Sequence, residues 1–251
     1  MRRGLWDREM VALLLLLAMM PMTLAWLWFG GVEALGRLIL TLLVSGLWHM
    51  IFMLTRAQPP SFAGSLTGVA VAMLAPQDLS LLQLILGISF GSVMAELVFG
   101  GWGRNVLSPA TVTLAFLGFG FSAAPWPDFV PPVAWAALPA LAMGIVFGVM
   151  SARLIFGAIA VLGIASIAGV PLVPVLPAAG IVLALLVSDP VASAATRFGG
   201  WLNGALYGAL IVLFATGWQG AAPMHVAVSA ALLASLAAPL LDETAIALWT
   251  A

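Results

Sequence analysis

Residues 100–110 read Gly100-Gly101-Trp102-Gly103-Arg104-Asn105-Val106-Leu107-Ser108-Pro109-Ala110, a polar and glycine-rich stretch inside an apolar chain. Glu96 precedes this first break by one helical turn, and a second break, Ser188-Asp189-Pro190-Val191, follows the apolar run 180–187. Charge at membrane depth is costly and is seldom kept without a function. Broken apolar segments at corresponding places in two halves of a chain point to the binding site of a membrane protein. We therefore search for functional residues at these two breaks.

Composition places the chain in a membrane. Hydrophobic residues make up 64% of its 251 residues, charged residues make up 7%, and the mean hydropathy is +1.20. A soluble domain carries about 25% charged residues. Only helices and closed barrels span a bilayer, and the apolar runs are continuous rather than alternating, which favours helices. We predict an all-α integral membrane protein.

The same composition excludes several functions. A net charge of -1 without a basic stripe argues against nucleic-acid binding, and the lack of cysteine excludes disulfides and thiolate-bound iron–sulfur clusters or zinc on this chain. Two distant histidines are too few for a metal site, and we predict neither metal ligands nor catalytic residues. Arg2, Arg3 and Arg8 precede the first apolar run, so the positive-inside rule puts the N-terminus in the cytoplasm. We expect that run to stay as a first helix rather than be cleaved as a signal peptide.

A helix needs about 20 residues to cross the hydrocarbon core, and by this length criterion the sequence has eight to ten segments. The full-length candidates, with one borderline segment at 153–168, are Met10–Phe29, Leu35–Leu54, Leu79–Phe99, Val133–Met150, Trp201–Gly217 and Met224–Leu241. Short runs are typical of re-entrant or discontinuous helices. The three short runs are Phe62–Leu74, Pro109–Phe121 and Pro174–Val187.

The order of long and short segments predicts an internal repeat. The run 68–76 resembles 180–187, because each begins with glycine and ends near a proline. Five helices are an odd number, so the second copy would sit upside down in the bilayer. We expect about ten membrane or half-membrane helices in an inverted five-plus-five repeat, with 1–122 and 123–251 as the halves of one membrane domain. The proline-rich residues 122–132 would join the halves. Chance similarity between apolar sequences is the alternative.

Both breaks resemble motifs of one known family. Residues 99–110, with Glu96 before them, are similar to Gly-Gly-x-Gly-(Arg/Gln/Lys)-Asn-x-x-(Asn)-Pro-Ala, and residues 188–196 are similar to Thr-Asp-Pro-Val-Ser-x-x-x-Thr. Both motifs belong to the membrane subunit family shared by the Na⁺-translocating NADH:quinone reductase (its B subunit) and the Rnf complex (its D subunit). Further matches are Gly199, Trp201, the segment 61–68 and Leu240-Leu241-Asp242.

This resemblance implies flavin-dependent electron transfer in a multisubunit complex of the bacterial inner membrane, coupled to Na⁺ or H⁺ movement and built with other membrane subunits. In the family, an FMN is esterified to a threonine in a loop between the halves. Residues 122–132 contain no threonine and are too few for such a loop, which argues against covalent FMN. Noncovalent FMN or riboflavin, or a quinone, is then the expected cofactor. The stretch 193–196, which ends in Thr196, resembles a flavinylation signature. Thr196 nevertheless lies in the second motif, where the family's threonine carries no flavin.

We predict a cofactor site at the first break. Ser108 would cap a helix that begins at Pro109, and the dipole and free N–H groups of that helix start favour an anion or a phosphate. Arg104 would pair with a flavin phosphate or with Glu96, and Trp102 would stack on a flavin or quinone ring. A purely structural turn is the alternative. The candidate cofactor residues are Gly101, Trp102, Gly103, Arg104, Asn105, Ser108 and Thr111.

A second group, Glu96, Ser188 and Asp189, is predicted to form an ion or proton pathway. Asp189 would bind Na⁺ or relay a proton near the bilayer midplane, or would only cap the next helix. Glu96 would likewise bind Na⁺ or relay a proton, or would form a salt bridge with Arg104. His49 lies deep in an apolar segment, and we expect it to be paired.

Three functions remain open on the sequence. The chain is identified first as a component of a redox complex that couples flavin or quinone chemistry to cation movement. A transporter or channel for a small solute or ion would suit the same inverted repeat. A structural subunit without a cofactor is the third possibility.

Overall fold

The computed structural model describes residues 7–56 and 61–250, and within those ranges the chain is helical and has no strand. The helices in chain order are α1 (Arg8–Arg56), α2 (Ala63–Leu74), α3 (Leu81–Gly91), α4 (Pro109–Gly120), α5 (Pro131–Trp135), α6 (Ala137–Val146), α7 (Ala152–Ile167), α8 (Leu176–Val182), α9 (Arg197–Gly217) and α10 (Pro223–Thr250). Two of them change pitch before they end. α3 continues into a π-helical turn (Ser92–Glu96) and a 3₁₀ turn (Leu97–Phe99), and α8 continues into a π-helical turn (Leu183–Val187).

Helix α1 is a hairpin of two membrane-length arms. Gly31 has φ 58° and ψ -141°, a left-handed conformation that interrupts the helix. Arg8 from the start of α1 lines the same small cavity as His49 and Met53 near its end, so the two arms fold back on each other. The predicted spans at 10–29 and 35–54 are therefore present, joined by a reversal of one residue.

Four helical segments of the described chain are long and apolar enough to cross a bilayer, namely Arg8–Arg56, Leu81–Phe99, Arg197–Gly217 and Pro223–Leu248. Shorter apolar helices occupy Ala63–Leu74, Pro109–Gly120, Pro131–Val146, Ala152–Ile167 and Leu176–Val187. The three short predicted runs all coincide with these shorter helices. The chain is thus a multi-pass helical membrane protein, as its composition predicted.

One predicted span is shorter than expected. We expected a full-length helix over Val133–Met150, but the structure has α5 and α6 in its place, with a bend at Ala136 and an end at Val146. Gly148 has φ 71°, and its N–H donates to Ile145 O. A left-handed glycine after the last turn is a common helix stop, and it ends this span early.

Arginine contacts define one end of the helix bundle, which we call the N-terminal end. Arg8 Nη1 donates to Trp102 O at 3.1 Å, and Arg56 Nη1 donates to Val98 O at 3.2 Å. Because Arg8 and Arg56 begin and end the α1 hairpin, the first break lies at this same end.

The opposite end holds the Gly31 turn and the connection between α4 and α5. Gln77 N, just after α2, donates to Pro125 O at 2.7 Å. The Trp126 ring stacks on His225, which lies at the start of α10, with ring centroids 5.0 Å apart. The proline-rich residues 122–132 are therefore at the end of the bundle remote from the first break.

Two short helical runs lie at the centre of the bundle. Residues 67–76, in α2 and just beyond it, are all buried, and so are residues 181–188, in α8 and its π-helical turn. A helix that is apolar all round is a core helix. These are the two runs that the sequence paired as a possible repeat.

Helices α7 and α9 run parallel and pack along a stripe of glycines, Gly200, Gly204 and Gly208, at intervals of four residues. A Cβ atom on Gly204 would overlap Leu154 O, and one on Gly208 would lie 3.0 Å from Ala158 O. Small residues at such spacing allow two helix backbones to approach closely in a membrane. This contact holds α9, the helix that follows the second break, against α7.

Candidate functional site

The two breaks line one small cavity near the N-terminal end. Trp102, Ser108 and Pro109 contribute from the first break, and Ser188 and Asp189 contribute from the second. The cavity has a volume of about 20 Å³. A void of this size holds about one water molecule. The structure thus brings together the two motifs that the sequence singled out.

The first break presents the start of helix α4 to this cavity. Ser108 has the extended backbone of an N-cap residue and Pro109 is the first helical residue, as predicted. The Ser108 side chain makes no capping hydrogen bond. The first N–H groups of a helix have no acceptor within the helix, so the positive end of the α4 dipole is directed at the cavity.

The second break is a tight polar turn after α8. Ser188 Oγ donates to Leu183 O at 2.7 Å, and Asp189 Oδ1 accepts from Val191 N at 3.0 Å. Asp189 does not cap the next helix, because α9 begins at Arg197 and is capped by Thr196. The alternative of a helix cap at Asp189 is therefore wrong. Its carboxylate faces the cavity across from the start of α4.

Glu96 is buried beside a histidine rather than beside Arg104. Its side chain is 1% exposed, Oε1 lies 3.0 Å from His49 Nε2, and Oε2 is buried without a hydrogen-bond partner. Arg104 is exposed and its side chain lies over Gly100. The structure therefore favours the expectation of a paired His49 over the alternative of a Glu96–Arg104 salt bridge.

The His49 ring makes two polar contacts, one with a backbone carbonyl oxygen and one with Glu96. His49 Nδ1 lies 2.9 Å from Ser45 O, an atom that only accepts, so Nδ1 carries a hydrogen. The bond between Nε2 and Glu96 Oε1 then needs a second hydrogen, on the imidazole or on the carboxyl group. The pair is neutral overall in either case, so this proton can move from one partner to the other without a change in net charge.

A second small cavity adjoins this pair. It has a volume of about 20 Å³ and is lined by His49, Glu96, Arg8, Ser61 and Trp102. Trp102 lines both cavities, the one beside the His49–Glu96 pair and the one that contains Asp189. The site is two water-sized cavities that share one buried tryptophan in their linings.

The other predicted residues of the first break shape the loop. Gly101 and Gly103 have φ of 90° and 92°, a conformation that glycine adopts without strain. Asn105 is buried, with Oδ1 accepting from Gly103 N at 3.0 Å and Nδ2 donating to Leu107 O at 2.8 Å. Thr111 is fully buried and its hydroxyl has no partner.

Two residues that the sequence analysis did not select also carry unsatisfied hydroxyls. Ser92 Oγ and Thr113 Oγ1 are buried without a hydrogen-bond partner, like Thr111 Oγ1 and Glu96 Oε2. These four atoms are on the end of α3 and the first turns of α4. Buried polar groups normally have partners, and these four atoms are exceptions that lie near the first break. Single hydroxyls in apolar helices give no sequence signal for this arrangement.

The site does not fit a flavin or a quinone ring. The cavity between the breaks holds about one water molecule. Trp102 is 4% exposed and packed in the hydrophobic core, so its ring faces are not available for stacking. The interpretation of residues 101–111 as a pocket for an isoalloxazine ring is therefore not supported by this geometry.

The loop after the second break is held by Asp242 of α10. Asp242 Oδ1 accepts from Thr196 N at 2.9 Å and from Thr196 Oγ1 at 2.6 Å, and Oδ2 accepts from Ala195 N at 2.8 Å. The Thr196 hydroxyl also accepts from Gly199 N. Thr196 thus serves as a helix cap with a carboxylate partner.

These observations define a helical membrane protein whose broken segments meet at a small polar site. The model of the NQR2, RnfD, RnfE family matches residues 6–137, just over half of the chain. The chain therefore belongs to this family, as its two motifs indicated. The matched residues include the first break and end before the second.

Curated relatives show the same relationship. The chain is 39% identical over 94 residues to the B subunit of the Na(+)-translocating NADH-quinone reductase of Klebsiella pneumoniae, in an alignment covering 38% of this chain and 23% of the relative. The corresponding protein of Neisseria meningitidis is 37% identical over 95 residues and that of Pseudomonas paraeruginosa 38% over 94, with the same coverage. The matched part thus spans less than a quarter of these relatives.

Proposed function

We propose that this chain is the cation-conducting membrane subunit of an RnfD/NqrB-like electron-transport complex of the bacterial inner membrane. The observation that carries the proposal is the meeting of the two breaks at one small cavity, which shares Trp102 with the cavity beside the buried His49–Glu96 pair. Family membership supplies the redox context, since similar proteins are named as subunits of a Na⁺-translocating NADH-quinone reductase. The flavin or quinone chemistry is carried by partner subunits, because the site here is too small for either ring.

An inverted five-plus-five repeat accounts for the arrangement of the helices. The α1 arms, α2, α3 and α4 form the first repeat, within 1–122, and α5 with α6, α7, α8, α9 and α10 form the second, within 123–251. The two fully buried runs come third in each set of five. The first set ends at the bundle end where the second begins, which supports opposite orientations. Sites at the interface of such repeats are typical of transporters.

The arginines support a cytoplasmic N-terminus. Five of them, Arg8, Arg56, Arg104, Arg153 and Arg197, are in segments at the N-terminal end, whereas Arg37 is near the opposite end. Arg2 and Arg3, which first suggested this orientation, lie outside the described residues. Cytoplasmic ends of membrane proteins carry an excess of Arg and Lys.

Protons are the cation that the geometry favours. The proton of the His49–Glu96 pair can move between the imidazole and the carboxyl group without a change in net charge, and Asp189 is the next carboxylate along the two cavities. A proton would enter near Arg8 and Ser61, bind at the pair, and reach Asp189 when the Trp102 ring moves aside. Na⁺ is the alternative, with Glu96 Oε2 and the unpartnered hydroxyls as its oxygen ligands.

The test uses membrane vesicles from a host in which the chromosomal copy is replaced by variants of the full chain. Redox-driven acidification and ²²Na⁺ uptake are measured in parallel. We expect Asp189→Asn and Glu96→Gln each to lower cation uptake at least about tenfold, as for an essential proton carrier. Asp128→Asn, which changes an exposed loop carboxylate, serves as the matched control. Full uptake by both site variants would refute the proposal.

A transporter that acts without redox partners is the second candidate, favoured by the poor fit of the site to a flavin. Affinity purification of the full chain from native membranes in mild detergent distinguishes the two. Co-purification of further proteins with flavin absorbance supports the redox complex. Isolation of the chain alone, with cation flux after reconstitution in liposomes, supports the transporter.

A further inference from the structure

We infer that a groove beside Arg37 and Asp78 binds the headgroup of a zwitterionic phospholipid with a primary ammonium group, of the phosphatidylethanolamine type. The groove is at the opposite end of the bundle from the two breaks and has a volume of about 390 Å³. It is open to the outside of the protein, and apart from Arg37 and Asp78 its walls are mostly apolar. It shares no residue with the site described above.

Arg37 presents a positive charge that no carboxylate neutralises. Its Nη2 atom donates to Ala75 O at 2.7 Å and also contacts Pro76 O, at the end of α2. Its Nε atom is buried without a partner. Within residues 7–56 and 61–250, the ion pairs do not include Arg37. A half-buried guanidinium supported only by carbonyl oxygens favours an anionic ligand, and phosphate suits its donors.

Asp78 presents a negative charge in the same groove. Its side chain is exposed, and its φ of 58° is the one positive value at a non-glycine residue in the described parts of the chain. Asp and Asn are among the few non-glycine residues that adopt this backbone conformation readily. Asp78 lines the groove with Arg37 but does not form an ion pair with it. The groove therefore displays two opposite charges that are kept apart.

The surroundings of the groove match the headgroup zone of a bilayer. Leu81, at its edge, is 64% exposed, and apolar surface there can contact acyl chains. Trp28, just before the Gly31 turn, is 83% exposed, and Trp135 in α5 is 68% exposed. Exposed tryptophans at one end of a helical bundle mark the membrane interface.

A phospholipid with an ammonium headgroup satisfies both charges at once. Its phosphate would bind Arg37, and its ammonium group would donate to Asp78, because a primary ammonium has three N–H donors. A choline headgroup carries the same charges but no N–H group. The headgroup of phosphatidylglycerol has hydroxyl donors but no positive charge to neutralise Asp78.

The test measures lipid retention by the full chain purified in detergent. The protein is exchanged into mixed micelles with equal amounts of phosphatidylethanolamine, phosphatidylcholine and phosphatidylglycerol, and bound lipid is counted by native mass spectrometry. We expect retention of phosphatidylethanolamine over phosphatidylcholine by roughly tenfold, the effect of one charge-assisted hydrogen bond. Asp78→Asn should remove this preference, and Arg37→Gln should lower retention of both lipids.

Matched controls separate headgroup recognition from folding. Arg56→Gln changes an arginine that also donates to helix-end carbonyls but at the N-terminal end, and Asp128→Asn changes an exposed carboxylate at the same end as Asp78. Both should retain lipid like the wild type. Asn tolerates positive φ as Asp does, so Asp78→Asn should stay folded even if Arg37→Gln does not.

Three results would overturn the inference. The first is equal retention of the three lipids by the wild-type protein. The second is an unchanged preference in Asp78→Asn. The third is displacement of bound lipid by inorganic phosphate as effectively as by glycerophosphoethanolamine, because that would identify a site for a free anion.

Discussion

The two breaks in the chain each set polar residues beside a proline, but they differ in how their polar atoms are bonded. In the second break and the loop after it, Ser188, Asp189 and Thr196 all have partners, and Asp242 holds the loop to α10. In and around the first break, four buried oxygens have none. A fully bonded turn stabilises a fold, whereas a set of unsatisfied groups needs a ligand or water.

This difference assigns separate tasks to the two regions. The second break positions a single carboxylate, Asp189, against the cavity and anchors α9 on α7. Under the proposed function, Glu96, just before the first break, carries the exchangeable proton together with His49. Apart from Asp189, substitutions in and behind the second region should therefore change the stability of the protein, whereas Glu96→Gln beside the first should change its activity with little loss of stability.

The largest effect is expected at the α7–α9 contact behind the second break. Gly204→Leu would force side-chain atoms into Leu154 O, and overpacking of this kind costs about 3 kcal/mol or more. We expect loss of folded protein in detergent, measured by size-exclusion chromatography and thermal unfolding. Gly163→Leu on α7, where a Cβ atom would meet nothing within 4 Å, is the control and should remain folded.

Removal of the Asp242 carboxylate should have the next largest effect. Asp242→Ala leaves Ala195 N, Thr196 N and the Thr196 hydroxyl without their acceptor, at a cost of about 2–4 kcal/mol for a partly exposed group. A lower thermal unfolding temperature is the expected measurement. Glu243→Ala, an exposed carboxylate on the neighbouring residue, should change it little. An equal loss of thermal stability in both variants would contradict a specific role of Asp242 in holding the loop.

Glu96→Gln should separate activity from stability. The amide can still bond His49 Nε2 and leaves one buried polar atom without a partner, as the carboxylate does, so unfolding free energy should change by less than about 1 kcal/mol. Cation uptake should nevertheless be lost, because an amide does not carry the proton. A Glu96→Gln variant that is destabilised but still takes up cations would contradict this expectation.

The smallest effect is expected at a single hydroxyl of α4. Thr113→Val removes a buried hydroxyl without a partner and should raise the unfolding free energy by up to about 1 kcal/mol. Thr41→Val is the matched substitution, because Thr41 Oγ1 bonds Gly68 O at 2.9 Å, and it should lower the unfolding free energy by about 1 kcal/mol. Changes of the same sign in the two variants would show that the Thr113 hydroxyl is satisfied, for instance by water.

Much of this arrangement could be predicted from the sequence, for reasons tied to particular residues. Runs of apolar residues report membrane segments directly, and Ser108-Pro109 indicated the start of α4. The shortening of the span at 133–150 was missed because Gly148 ends a helix by its left-handed backbone, and most glycines in membrane helices do not.

The partners of single polar residues were harder to predict. His49 and Glu96 are 47 positions apart, and nothing in either segment specifies that α1 and α3 bring them within hydrogen-bond distance. The size of the cavity also depends on the packing of Trp102, which no local pattern encodes. The candidate ion carriers could be selected because charged side chains are costly at membrane depth. The flavin pocket expected from the sequence is not supported by the structure.

The one-residue reversal at Gly31 has a consequence for biogenesis. With no hydrophilic connector between its arms, α1 offers no segment that could be held on the far side of the membrane while the second arm is still being synthesised. The arms should leave the translocon together as a paired unit, and a bulky epitope inserted at Gly31 should abolish insertion of both.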